Sequence, residues 1–142
     1  MNTSEPCADR PPENMTKNTG FEPAADSPAV RSFIDPAYQP LANTLGEIRA
    51  AIDVVDEQII ELIARRARYV KDATRFKHDA FQVSAPARQA QVFERARSRA
   101  EQHKADLPGL ADVVEATYRT MVGAFVAGEQ EYFRITRVIE ED

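Results

Sequence analysis

The chain has 142 residues, with 18 Lys and Arg against 23 Asp and Glu for a formal net charge of −5, a mass of 15.9 kDa and a pI near 5.1. One domain is expected, and no segment is basic enough for nucleic acid to be a partner. One cysteine, Cys7, and two histidines, His78 and His103, exclude an intrachain disulfide and a Cys-based metal site; no metal is expected. The lack of an apolar run near the ~18 residues of a span, and of a basic, then apolar start, predicts a soluble cytoplasmic protein with no membrane partner.

In chain order, residues 1–42 form a leader holding Pro6, Pro11, Pro12, Pro23, Pro28, Pro36 and Pro40. Its few apolar side chains follow neither the strand nor the helix period, so it reads as disordered or loosely ordered. Residues 43–137 form the helical body, and 138–142 are an acidic C-terminal tail. Between Gly46 and Pro108 there is no glycine and one proline, Pro86, and Ala, Arg, Glu and Gln dominate. Such composition favours helix.

The first helix opens at Asn43 or Thr44, with Glu47 at capping-box spacing from Thr44. Its apolar stripe runs through Leu45, Ile48, Ile52, Val55, Ile59 and Leu62, then Tyr69, Ala73 and Phe76. That is a heptad about nine turns long. A helix of this length needs a partner helix or a second chain. The pattern breaks over His78 to Ala85, and Ser84 with Pro86 starts a second helix reaching about His103. Leu107, Pro108 and Gly109 turn the chain. A third helix follows from about Gly109 to Ile135, and its middle, Met121 to Ala127, is apolar nearly all round and so is expected to be deeply buried. No strand pattern appears. The fold class is all-α: three helices per chain with a long first helix, assembled as an intertwined helical-bundle homodimer.

Arg66 stands on the heptad stripe between Leu62 and Tyr69, where an aliphatic residue belongs. A buried guanidinium costs several kcal/mol, order of magnitude, unless it is paired, so a carboxylate or an anionic ligand should face it. Lys77, eleven residues on, projects from nearly the same face about 16 Å along the axis. Both can lean onto one small anion. Arg49 precedes Arg66 by about 25 Å of helix, too far for the same ligand, unless antiparallel first helices in a dimer carry it to the partner's site. Arg49 alone, four residues before Asp53, and Arg88 alone read as ordinary surface residues. Long stems such as that of Arg66 also snorkel at stripe edges. Gln130 shares a face with Val126 and Gly123 and taken singly is a partly exposed polar residue.

As a set, LGEIRAAIDVVDEQIIELIARRARYVKDATRFK, then APARQ, then GEQEYF resemble the all-helical class of chorismate mutases, over roughly Leu45 to Phe133. Within it, RYVKDATRFK and the Glu-Gln-x-Tyr-aromatic close of the third helix are similar to the isochorismate pyruvate lyases that feed salicylate synthesis. The resemblance implies that Arg66 and the partner chain's Arg49 hold two carboxylates of the substrate, with Arg88 at the mouth of the site. Lys77 and Gln130 would be catalytic, facing the enol ether oxygen, and Val70 and Gln89 would complete the substrate-binding set. A pericyclic reaction needs a compact conformer and charge where the breaking C–O bond becomes electron-rich, so no cofactor is implied.

Dedicated mutases often carry Glu immediately after the Arg88 position, and lyase-like members an apolar residue; this chain has Gln89. That leaves chorismate and isochorismate both open. The reading is a homodimer with shared sites acting on a small-molecule dicarboxylate, the lyase reaction ahead of rearrangement to prephenate. The contrasting reading is a non-catalytic helical dimerisation module in which Arg66 and Lys77 pair with acids such as Glu61 or Asp72.

Overall fold

The computed structural model describes residues 20–136. Cys7, the first part of the leader and the acidic tail 138–142 lie outside them. The chain divides into two units, Met1–Glu57 and Gln58–Asp142. The described residues form helices α1 (Leu45–Ala73), α2 (Ala80–Ser84), α3 (Pro86–Glu101) and α4 (Leu110–Ile135), with a 3-10 turn at Thr74–Phe76. Among them no strand forms beyond an isolated bridge between Pro28 and Thr44. None of these helices is long and apolar enough to cross a membrane.

In the first unit, α1 starts where the capping residues predict. The Glu47 amide donates to Thr44 Oγ1 at 3.3 Å, and Glu47 Oε2 accepts from the Asn43 amide at 2.8 Å. These contacts serve N–H groups that have no intrahelical partner. The leader supplies two more acceptors: the Ala25 carbonyl takes the Gly46 amide at 2.7 Å and the Ser27 carbonyl takes the Leu45 amide at 3.4 Å.

The expected first helix, running on past Phe76, is corrected. α1 ends at Ala73, where the chain tightens into the 3-10 turn; within it the Thr74 hydroxyl donates back to the Lys71 carbonyl at 2.6 Å. Lys77 follows in extended conformation, φ −120° and ψ 134°, so it is not three turns along the same helix. The break expected over His78 to Ala85 holds the five-residue helix α2. Asp79 caps it by accepting the Gln82 amide at 2.8 Å, and Gln82 Oε1 returns the contact to the His78 amide at 2.6 Å. Ala85 then adopts φ +44°, a left-handed turn, and Pro86 opens α3 at the position that tolerates its missing N–H. Gly109 at φ +81° starts α4.

α4 packs against α3 and α2. Val83, Ala100, Ala111 and Val122 are the buried apolar residues of this contact. Arg97 ties α3 to α4 by donating to Asp112 Oδ1 at 2.8 Å, and the Arg119 guanidinium lies 4.5 Å from the centre of the Phe93 ring. The expectation of a deeply buried middle of α4 is corrected in part. Val122 is buried, but Met121, Phe125 and Val126 are half-buried, and Gly123, Ala124 and Ala127 are exposed. α3 and α2 cover one side of a segment that is apolar on more than one. On α1 no residue is buried at all.

Candidate active site

A cavity of about 290 Å³ opens in the second unit. α1 supplies Arg66, Tyr69, Val70 and Ala73, and the turn after it supplies Lys77. Val83, Ser84 and Ala85 come from α2 and its end, Arg88, Gln89 and Val92 from α3, and Val122, Phe125, Val126 and Glu129 from α4. The turn at Thr74 is what makes this possible, since it carries Lys77 off the helix axis.

Arg66 is the cation expected to need a partner, and among the described residues it has none of opposite charge. Its Nη1 is buried with no hydrogen-bond partner among the described residues, while its Cζ lies 4.9 Å from the centre of the Phe125 ring. The ring face offers a weak attraction to the guanidinium but no acceptor for that N–H. An anion in the cavity would supply one. Arg88 makes no ion pair among the described residues and is exposed, as suits a group at a cavity mouth.

Lys77 is engaged differently. Its Nζ donates to Glu129 Oε1 at 2.6 Å and, more weakly, to the Val83 carbonyl at 3.4 Å. The cavity thus holds the cations Arg66, Lys77 and Arg88 and the single carboxylate Glu129. Two positive charges remain in excess, the complement of a dicarboxylate.

Of the residues named from sequence, Arg66, Val70, Lys77, Arg88 and Gln89 line this cavity. Gln89 donates its amide to the Ser84 carbonyl at 2.6 Å, which commits the nitrogen and leaves its Oε1 without a partner among the described residues. Gln130 is not in the lining; its amide donates to the Ala80 carbonyl at 3.0 Å and ties α4 to α2. Arg49 is exposed and belongs to the first unit. The pairing of Arg66 or Lys77 with Glu61 or Asp72 is absent among the described residues: Lys77 meets Glu129, and Asp72 meets Arg75 at 2.9 Å. Sequence reasoning missed Glu129. It continues the Val122, Val126 stripe at heptad spacing, and an acid on an apolar stripe opposite a lysine is a signal that could have found it.

Residues 48–130 match the family model for chorismate mutase type II. The chain belongs to that family of enzymes. It is 38% identical over 94 residues to an isochorismate pyruvate lyase of Pseudomonas aeruginosa, covering 66% of this chain and 88% of that one. It is 33% identical over 67 residues to a chorismate mutase of Methanocaldococcus jannaschii, covering 46% of this chain and 68% of that one.

Proposed function

We propose that this protein is a pericyclic enzyme that converts isochorismate to salicylate and pyruvate, with the rearrangement of chorismate to prephenate as its second activity. The observation that carries the reading is the buried Arg66 Nη1, without a partner among the described residues, on the wall of a cavity with two excess positive charges. A guanidinium left in that state is destabilising in the free protein and becomes satisfied when a carboxylate arrives. Arg66 and Arg88 hold the dianion in a compact conformer, and the Lys77 ammonium stands where negative charge grows on the ether oxygen as the C–O bond breaks. The greater likeness in extent to the lyase favours isochorismate. Gln89 Oε1, with no partner among the described residues, is an acceptor for a ring hydroxyl.

The same proposal includes a homodimer. On α1 the heptad residues Ile52, Val55, Ile59 and Leu62 are 51%, 50%, 47% and 59% exposed, an apolar row that pairing of two chains would cover. The partner's Arg49 then joins each site. The deciding experiment incubates the purified protein separately with chorismate and isochorismate and follows prephenate and salicylate. Salicylate from isochorismate is the expected result, prephenate alone would make it a mutase, and product from neither substrate would overturn the proposal.

A further inference from the structure

Glu129 is an odd residue to find on the wall of a site for a dianion. Its side chain is 5% exposed, against 19% for its partner Lys77. A carboxylate there repels the ligand and cancels one of the charges that attract it. The other charged groups around the cavity, Arg66 from α1 and Arg88 from α3, are cations that gain nothing from it at hydrogen-bond distance. What Glu129 does touch is the Lys77 ammonium. An ammonium has three donors on a flexible stem. Glu129 Oε1 takes one at 2.6 Å and the Val83 carbonyl takes another at 3.4 Å. With two directions held, the third N–H has one direction left.

We propose that Glu129 is a positioning residue that acts through Lys77, lowering ground-state affinity for the dianion in exchange for an ammonium already fixed where charge develops in the transition state. The inference rests on the pericyclic reading above. An interaction spent on preorganisation raises kcat, and one spent on ground-state attraction lowers KM; Glu129 does the first at the expense of the second.

The two effects separate by substitution. Glu129→Gln keeps an acceptor of the same shape but removes the charge. Its kcat should fall about ten-fold or more while its KM falls about three-fold or more, the opposite movements expected of a lost positioning contact and a lost repulsion. Glu129→Asp, which keeps the charge, should return KM to the parent value and recover part of kcat. A residue that only supported the fold would lower the active fraction and leave KM unchanged. The double variant Lys77→Met/Glu129→Gln removes both charges at once and guards against misfolding of the single one. It should bind the substrate that the parent turns over within a few-fold of the parent KM, by calorimetry, with no turnover, since the net cavity charge is unchanged. Parent-like kcat and KM in Glu129→Gln, a fall in kcat with unchanged or raised KM, or a ten-fold or greater loss of affinity in the double variant, would each overturn the proposal while a working parent enzyme leaves the functional reading standing. A parent inactive on both substrates overturns both.

Discussion

The Arg66 guanidinium lies against the face of Phe125, 4.9 Å from the ring centre, and its buried Nη1 has no hydrogen-bond partner among the described residues. Local composition makes α1 a helix, α4 brings the ring across the cavity, and the result is a cation held in place with unused hydrogen-bonding capacity. A buried cation with unused hydrogen-bonding capacity should respond to substitution with opposite signs in stability and in binding.

Arg66→Met should therefore stabilise the ligand-free protein by about 1 kcal/mol, because an unsatisfied buried group is replaced by an apolar one of similar length. The same variant should lose the rise in Tm that a dicarboxylate transition-state mimic gives the parent, and kcat/KM should drop about 100-fold or more. Calorimetry with and without the mimic reads both signs in one experiment. A less stable apo variant would show that Nη1 is satisfied in solution.

Lys77→Ala should raise the barrier by about 3 kcal/mol or more, in line with deletion of one donor to a developing oxyanion. It also leaves the buried Glu129 carboxylate without its cation. Stability should consequently fall by a few kcal/mol, order of magnitude, and return when Glu129→Gln is added in the same chain. Denaturant titration of the two variants checks this, and a Lys77→Ala protein with near-parent turnover would refute the role given to the ammonium.

The proposed dimer predicts intragenic complementation. Arg49→Ala and Lys77→Ala homodimers should each be nearly inactive. In a mixed dimer with the partner's Arg49 donated across the seam, one site receives both substitutions and the other neither. Random pairing with independent sites then restores about a quarter of parent activity after co-refolding. No recovery after verified subunit exchange would count against shared sites.

Gly46→Ala tests the contact between the leader and α1. A Cβ at Gly46 would sit 2.8 Å from the Ala25 carbonyl oxygen, a backbone atom. Alanine favours the helix by about 1 kcal/mol over glycine, so α1 should persist while the leader detaches. Hydrogen exchange should show faster exchange at the amides of residues 45 and 46 with unchanged helicity. Unchanged protection there would mean the leader shifts without letting go.

Asp72 and Arg75 mark the end of α1. The hydrogen bond from Arg75, 2.9 Å to Asp72 Oδ1, holds the Asp72 carboxyl below the usual carboxylate range, with the Arg75 charge adding to it. A carboxyl lowered on folding adds stability above its unfolded pKa, and that stability is lost as pH falls through the folded value. NMR titration should place Asp72 below an exposed aspartate, and Arg75→Gln should move it back up. Both groups are exposed, so the effect on overall stability should be small.

What could be read from the residues was local or periodic. Thr44 with Glu47, Pro86 and Gly109 mark helix starts because caps and φ-restricted residues act within one turn. Arg66 stood out because a charge on an apolar stripe contradicts its own surroundings. Nothing so near in sequence announced the end of α1 at Ala73. Arg75, Phe76 and Lys77 are all compatible with helix, yet the chain tightens into a 3-10 turn and leaves Lys77 extended. The partner of Lys77 is 52 residues away, on α4. Whether Glu129 or Gln130 lines the cavity is a question of about 100° of rotation about the axis of α4. Its sequence, apolar nearly all round in the middle, does not specify that angle, and only its packing against α2 and α3 sets it.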